Sequence, residues 1–194
     1  MHKTSFSLPD AELDFYPACF SPDESDRLFT ELLECVSWQQ EHLRLYGKTH
    51  RVPRLTAWYG DVGCCYTYSG ISRHPKPWIP VLLAIKDRTE RIAGAHFNSV
   101  LLNLYRGGCD SMGWHSDSER ELGKNPLIAS VSLGGPRRFL LRHTNGTHKN
   151  VVTLTHGSLL LMGGAMQHYW QHRIPKTRQK VPPRINLTFR YIFR

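Results

Sequence analysis

The stretch Arg184-Ile185-Asn186-Leu187-Thr188-Phe189-Arg190-Tyr191-Ile192-Phe193 alternates two chemistries with period two. In an extended strand, residues i, i+2 and i+4 share a face. Ile185, Leu187, Phe189 and Tyr191 then make an apolar face suited to a core. Arg184, Asn186, Thr188 and Arg190 make the opposite face. Two planar cations separated by an amide and a hydroxyl suit a small dianion such as a dicarboxylate. The same face would also suit water at the edge of an amphipathic sheet.

Upstream, the chain from about residue 97 reads as short strands punctuated by turns: 97–105, 127–133, 138–142, 151–154, 158–162, 169–173 and 185–193. Strands at this spacing indicate a sandwich or barrel. Two helices precede them. Ser21-Pro22-Asp23-Glu24 has a capping residue, a proline at the first helical position and an acid at the third, followed by Leu28, Phe29, Leu32, Leu33 and Val36. Pro80 to Ile92 carries Val81, Leu82 and Ile85 and stops at Gly94. The expectation is a mainly β fold with flanking α: a double-sheet, jelly-roll core with one sheet covered by helices. All 194 residues are expected to form a single domain: an N-terminal helical segment 1–37, an Arg-, His-, Tyr- and Gly-rich segment 38–75, a supporting helix 76–95 and a β core 96–194.

The formal net charge is +9 and the pI about 9.5, which favour a polyanionic partner, nucleic acid above all. Five cysteines with no CxxC pair argue against a disulfide framework or a cysteine zinc site. No apolar run approaches the ~18 residues of a membrane span, and no signal peptide is evident. A cytoplasmic monomer with no obligate protein partner is expected.

His115-Ser116-Asp117 sets an imidazole and a carboxylate two residues apart. One more ligand would complete a two-histidine, one-carboxylate facial triad, which leaves positions open for oxygen and a co-substrate. His168, His172 and His156 are the candidates for that ligand.

His115-x-Asp117, then His172 in His172-Arg173-Ile174-Pro175 about 55 residues later, then Arg184-x-Asn186-x-Thr188-x-Arg190 about 12 residues further, resemble the AlkB-type Fe(II)/2-oxoglutarate dioxygenases, and the members that repair duplex DNA most of all. The resemblance covers roughly residues 40–194. It implies a double-stranded β-helix core and a nucleotide-recognition lid over 38–75. It implies that His115, Asp117 and His172 ligate Fe(II). Arg184 and Arg190 would each hold one end of 2-oxoglutarate, with hydrogen bonds from Asn103, Tyr105, Asn186 and Thr188. O2 would be the second co-substrate. Tyr66, Tyr68 and Ser69 would line the lid, and Arg54 and Glu119 would approach the target base. Tyr46 would occupy the tip of a hairpin finger that fills the gap left by a flipped base. Lys48, His50, Arg51, Arg137, Arg138, Arg142, Lys176, Arg178 and Lys180 would supply phosphate-facing charge. The implied activity is oxidative demethylation of N1-methyladenine and N3-methylcytosine in DNA, releasing formaldehyde, in the nucleoid or nucleus. RNA, a non-nucleic substrate, and a non-catalytic binding module of the same fold are the alternatives. Ser116 and Ser118 are smaller and less charged than their counterparts in the duplex-repair members, which leaves strand preference open.

Overall fold

The computed structural model describes residues 2–45, 47–64, 66–68 and 71–193, with the backbone alone at 44, 45, 66–68 and 71–73. A hairpin that the sequence reading did not anticipate opens the chain. β1 (Thr4–Leu8) and β2 (Ala11–Tyr16) turn through Asp10, whose φ of 55° lies in the left-handed region that Asp tolerates. α1 (Pro22–Cys35) starts as its cap residues dictate: the Glu24 N–H donates to the Ser21 hydroxyl at 3.3 Å. β3 (Gln39–Leu45) and β4 (Lys48–Gly60) form a second hairpin, and β5 (Tyr66–Tyr68) pairs with β6 (Ile71–Arg73) as a separate ribbon. α2 (Pro80–Ala93) ends at Gly94, where φ is 64° and the N–H donates to Glu90 O.

β7 (Ser99–Tyr105), β8 (Met112–His115), β9 (Ile128–Gly134), β10 (Arg137–His143), β11 (Lys149–Leu154) and β12 (Ser158–Gly163) follow. A four-residue helix, α3 (Met166–Tyr169), leads directly into β13 (Trp170–Ile174), and β14 (Arg184–Arg190) completes the fold. Eight strands form one antiparallel sheet in the order β1-β2-β12-β9-β14-β7-β4-β3, and four form another, β11-β10-β13-β8. This is the β-rich jelly roll expected from the strand spacing.

β14 lies between β9 and β7 in the middle of the larger sheet. Its two faces meet different cores. Ile185, Leu187 and Phe189 are fully buried against Leu28 and Leu32 of α1, Leu82 and Ile85 of α2, and the matching faces of β7 and β9. The other face points between the sheets, where Phe139, Leu141, Leu154 and Ile174 of the smaller sheet pack with Ile128, Leu160 and Met162 of the larger. Helix, large sheet and small sheet are thus three layers, and the polar face of β14 lies in the interior rather than in water. Arg184 is 1% exposed.

Tyr191 departs from the expected apolar face. The strand ends at Arg190, and Tyr191 is 44% exposed. The chain leaves the ladder because local partners take over: the Ile192 N–H donates to Asn98 Oδ1 at 2.7 Å and the Phe193 N–H to Glu121 O. Leu187 is the best place to weaken the helix-side core. Leu187→Ala should lower stability by about 2–5 kcal/mol, read as a lower denaturant midpoint with unchanged m value.

Arg137 is the second departure. It was expected to face phosphate, but it is 4% exposed and donates to the carbonyls of Gly107, Asp110 and Pro175. Its role is to brace the loop after β7 against the segment after β13. No helix among the described residues is long and apolar enough to cross a membrane.

Candidate active site

Strand pairing builds the site. β13 pairs with β8 so that His172 lies opposite His115, with ring centroids 4.2 Å apart. Asp117 follows two residues beyond β8, and its Oδ1 lies 3.9 Å from His115 Nε2. One potential ligand atom from each of His115, Asp117 and His172 lies within 4.8 Å of the others. This is the one such cluster among the described residues.

The two imidazoles are prepared differently. His115 Nδ1 lies 2.9 Å from the Gly113 carbonyl, which fixes the proton there and leaves Nε2 with its lone pair facing Asp117. His172 is buried and stacks on Phe139 at 5.0 Å. Burial, with His115 beside it, pushes His172 down to about 3, so the ring is neutral and able to ligate near pH 7. Burial works against the charge on Asp117, but the Arg190 guanidinium outweighs it, helped in acid by the imidazoles once they are protonated, and the carboxyl is held down at about 2. Arg190 Nη2 lies 2.9 Å from Asp117 Oδ1.

The alternative histidines serve elsewhere. His168 is exposed on α3. His156 accepts from the Gly134 N–H at 2.7 Å and its Nε2 lies 3.2 Å from Asp26.

The polar face of β14 meets that of β7 in register. Arg184 lies opposite Tyr105 and Asn186 opposite Asn103. Asn103, Tyr105, Arg184, Asn186, Thr188 and Arg190 line one cleft with the His-Asp-His cluster. Within it, Thr188 donates to Asn186 Oδ1 at 3.1 Å, and Asn186 Nδ2 donates to Ser130 Oγ at 2.8 Å. Arg184 Nη2 donates to Ser132 Oγ at 2.8 Å, and its guanidinium stands 5.3 Å from the Tyr105 ring. Its Nε and Nη1 are buried with no hydrogen-bond partner. Burial lowers Arg184 to about 10, which still leaves it charged at neutral pH.

Such a half-satisfied buried cation fits an anionic ligand: a carboxylate could accept from both free donors. The donor set therefore suits both groups the motifs imply, a divalent metal on two imidazoles and a carboxylate, and a dicarboxylate on β14.

The substrate-side residues are less uniformly placed. Arg54, on β4, is turned toward the cleft wall, where Nε donates to Asn103 Oδ1 at 2.7 Å and Nη1 to Ser111 O at 3.3 Å. Glu119 is half-buried, and its Oε2 has no hydrogen-bond partner. Tyr66 and Tyr68 stand two apart on β5, which puts them on one face by backbone alone. Tyr46 and Ser69 fall outside the described residues.

Three residues that the motifs did not single out complete the site: Ser130 and Ser132, which hold Asn186 and Arg184, and Gln167, whose Oε1 accepts from the Asp117 N–H at 2.9 Å. The serines left a trace in sequence, since small hydroxyls alternate with apolar residues along Ile128-Ala129-Ser130-Val131-Ser132-Leu133.

The chain is similar to proteins of known family across nearly its whole length. Residues 12–190 match the 2OG-Fe(II) oxygenase superfamily. The mouse DNA oxidative demethylase ALKBH2 is 42% identical over 188 residues, covering 91% of this chain and 79% of that protein. The bovine alpha-ketoglutarate-dependent dioxygenase alkB homolog 3 is 46% identical over 180 residues, covering 88% of this chain and 62% of that protein. The solved structure of OsALKBH1 superposes with a TM-score of 0.65 at 17% identity, covering 97% of this chain and all of that one, and supports the fold. With the site geometry these similarities agree on one placement: the chain belongs to the AlkB-type branch of the 2OG-Fe(II) oxygenase superfamily, enzymes that depend on Fe(II), 2-oxoglutarate and O2.

Proposed function

We propose that this chain demethylates N-alkylated bases in DNA, N1-methyladenine and N3-methylcytosine in particular. The observation that carries the reading is the cleft itself, in which a three-ligand cluster stands beside a buried arginine with two unmatched donors. The similarity to mouse ALKBH2, named a DNA oxidative demethylase, supplies the substrate class. When bound, Fe(II), 2-oxoglutarate and O2 supply the chemistry that hydroxylates an N-methyl group, which then leaves as formaldehyde.

The protein's own residues bind, orient and exclude water. His115, Asp117 and His172 would hold the metal. Arg184 would take one carboxylate of 2-oxoglutarate with Tyr105 beside it. Arg190 would hold the other end of 2-oxoglutarate and, through its pair with Asp117, order that ligand, while Asn103, Asn186 and Thr188 supply hydrogen bonds to the co-substrate. The target base has to leave its stack to present the methylated edge. Tyr66, Tyr68 and Ser69 would receive it, Arg54 and Glu119 would border it, and Tyr46 would fill the gap. The protein would work as a monomer wherever the cell keeps its DNA.

Formaldehyde release from methylated single-stranded and duplex oligonucleotides, with Fe(II), 2-oxoglutarate and ascorbate, tests the proposal. Turnover on methylated RNA and none on DNA would redirect it to RNA. Absence of turnover on both, with 2-oxoglutarate still consumed, would point to a non-nucleic substrate.

Lys176, Arg178 and Lys180 lie exposed between β13 and β14. Replacing all three by Ala should flatten the plot of log affinity for duplex DNA against log salt by about 2–3, since each phosphate contact contributes about 0.9 to the slope. Binding titrations at several salt concentrations measure it. An unchanged slope would move the DNA backbone to another face.

A further inference from the structure

We propose that Gln167 is a positioning residue for Asp117 and, through it, for the metal. The inference rests on the reading of His115, Asp117 and His172 as ligands of a divalent ion.

Asp117 lies beyond the ladder that fixes His115 against His172. Its carboxylate is held from one side by Arg190. Its backbone is held by Gln167, whose Oε1 accepts the Asp117 N–H at 2.9 Å across 50 residues of sequence. Gln167 is 2% exposed and belongs to α3, which runs straight into the strand bearing His172. One amide therefore ties the segment carrying His115 and Asp117 to the segment carrying His172. Its other end, Nε2, meets Met162 Sδ at 4.0 Å, and a thioether is a weak acceptor. The strong bond of this buried amide is the one to Asp117.

A ligand on irregular backbone has no sheet register to hold it. A rotation of the Asp117 peptide would carry the carboxylate out of the 4.8 Å cluster. Gln167 opposes that rotation. It touches neither metal nor co-substrate, so its effect should appear in metal affinity before any turnover is measured.

The test is a titration of the metal-free full chain with Co(II), without 2-oxoglutarate, followed by visible absorption and by calorimetry. Wild type, Gln167→Met, Gln167→Glu and Asp117→Ala are compared at a temperature where each is folded. Gln167→Met fills the same space without a strong acceptor and should raise the Co(II) dissociation constant about 10- to 100-fold. Gln167→Glu keeps an oxygen at the same reach and should return it close to wild type. A purely structural role would instead lower the melting temperature of the metal-free protein and leave Co(II) affinity alone. If Gln167→Met does not fold, Gln167→Asn, with its acceptor one methylene short, carries the same expectation. Wild-type Co(II) affinity in either of these variants overturns the proposal. Failure of the wild type itself to bind Co(II), as Asp117→Ala should fail, would remove the metal reading and this inference with it.

Discussion

His172→Ala should abolish formaldehyde release and weaken Co(II) or Fe(II) binding by more than about 100-fold, the upper range for groups that act on a metal from outside its ligand set. The argument starts from the neutral, buried imidazole. His172 lies opposite His115 in the β13–β8 pair and is kept uncharged by burial, so it can donate a lone pair near pH 7. Removing it leaves His115 and Asp117, which cannot make a three-cornered site. The substitution also removes a ring packed on Phe139, and large-to-small changes in a core cost about 2–4 kcal/mol. In a chain of this length that corresponds to a fall of several degrees in melting temperature. Metal titration well below the melting point of the variant separates the two effects. His168→Ala is the companion measurement: His168 is exposed on α3 and its removal should leave turnover unchanged. Full activity in His172→Ala with loss in His168→Ala would reverse the assignment.

The histidine pair illustrates what the sequence could and could not say. His115, Asp117, His172 and the RxNxTxR tail were recognisable because their chemistry is local and their spacing is specific. The helix starts were legible for the same reason: Ser21 and Gly94 act on their own turns. What could not be read was which way the tail faces. An alternating strand has the same sequence whether its polar side meets water or lines an internal cleft, and only the pairing of β14 between β9 and β7 decides it. Ser130, Ser132 and Gln167 were missed because they matter only through tertiary partners 50 or more residues away. Arg137 was misread because arginine at a surface and arginine bracing three carbonyls look alike in sequence. The first hairpin was overlooked although Leu8-Pro9-Asp10-Ala11 between alternating residues is a turn signal.

Arg184→Met should raise the dissociation constant for 2-oxoglutarate by about 100- to 1,000-fold, while metal affinity stays near wild type. The buried guanidinium donates to Ser132 through Nη2 and stands beside Tyr105, while Nε and Nη1 have no hydrogen-bond partner within the protein. A carboxylate placed against those donors completes a buried ion pair, and removing one member of such a pair costs about 3–5 kcal/mol. At 1.4 kcal/mol per decade this spans the expected loss. The protein without co-substrate should respond in the opposite sense. Burial holds Arg184 at about 10, well below the ordinary guanidinium range, so the folded state disfavours the charged form that prevails at neutral pH. The stability tied to this group increases as pH rises from about 10 toward the ordinary guanidinium range, and at pH 7 the charge opposes folding. Methionine removes that charge and should leave the ligand-free melting temperature equal or higher. 2-Oxoglutarate at about 100 times its dissociation constant should stabilise wild type by about 2.7 kcal/mol and the variant by far less. Arg190→Met provides the contrast. Arg190 pairs with Asp117, so its loss should weaken metal and co-substrate together. If Arg184→Met kept 2-oxoglutarate affinity within about tenfold, 1.4 kcal/mol, the anchor of the dicarboxylate would have to lie elsewhere in the cleft. Arg184 would then be a buried charge that the fold tolerates without using.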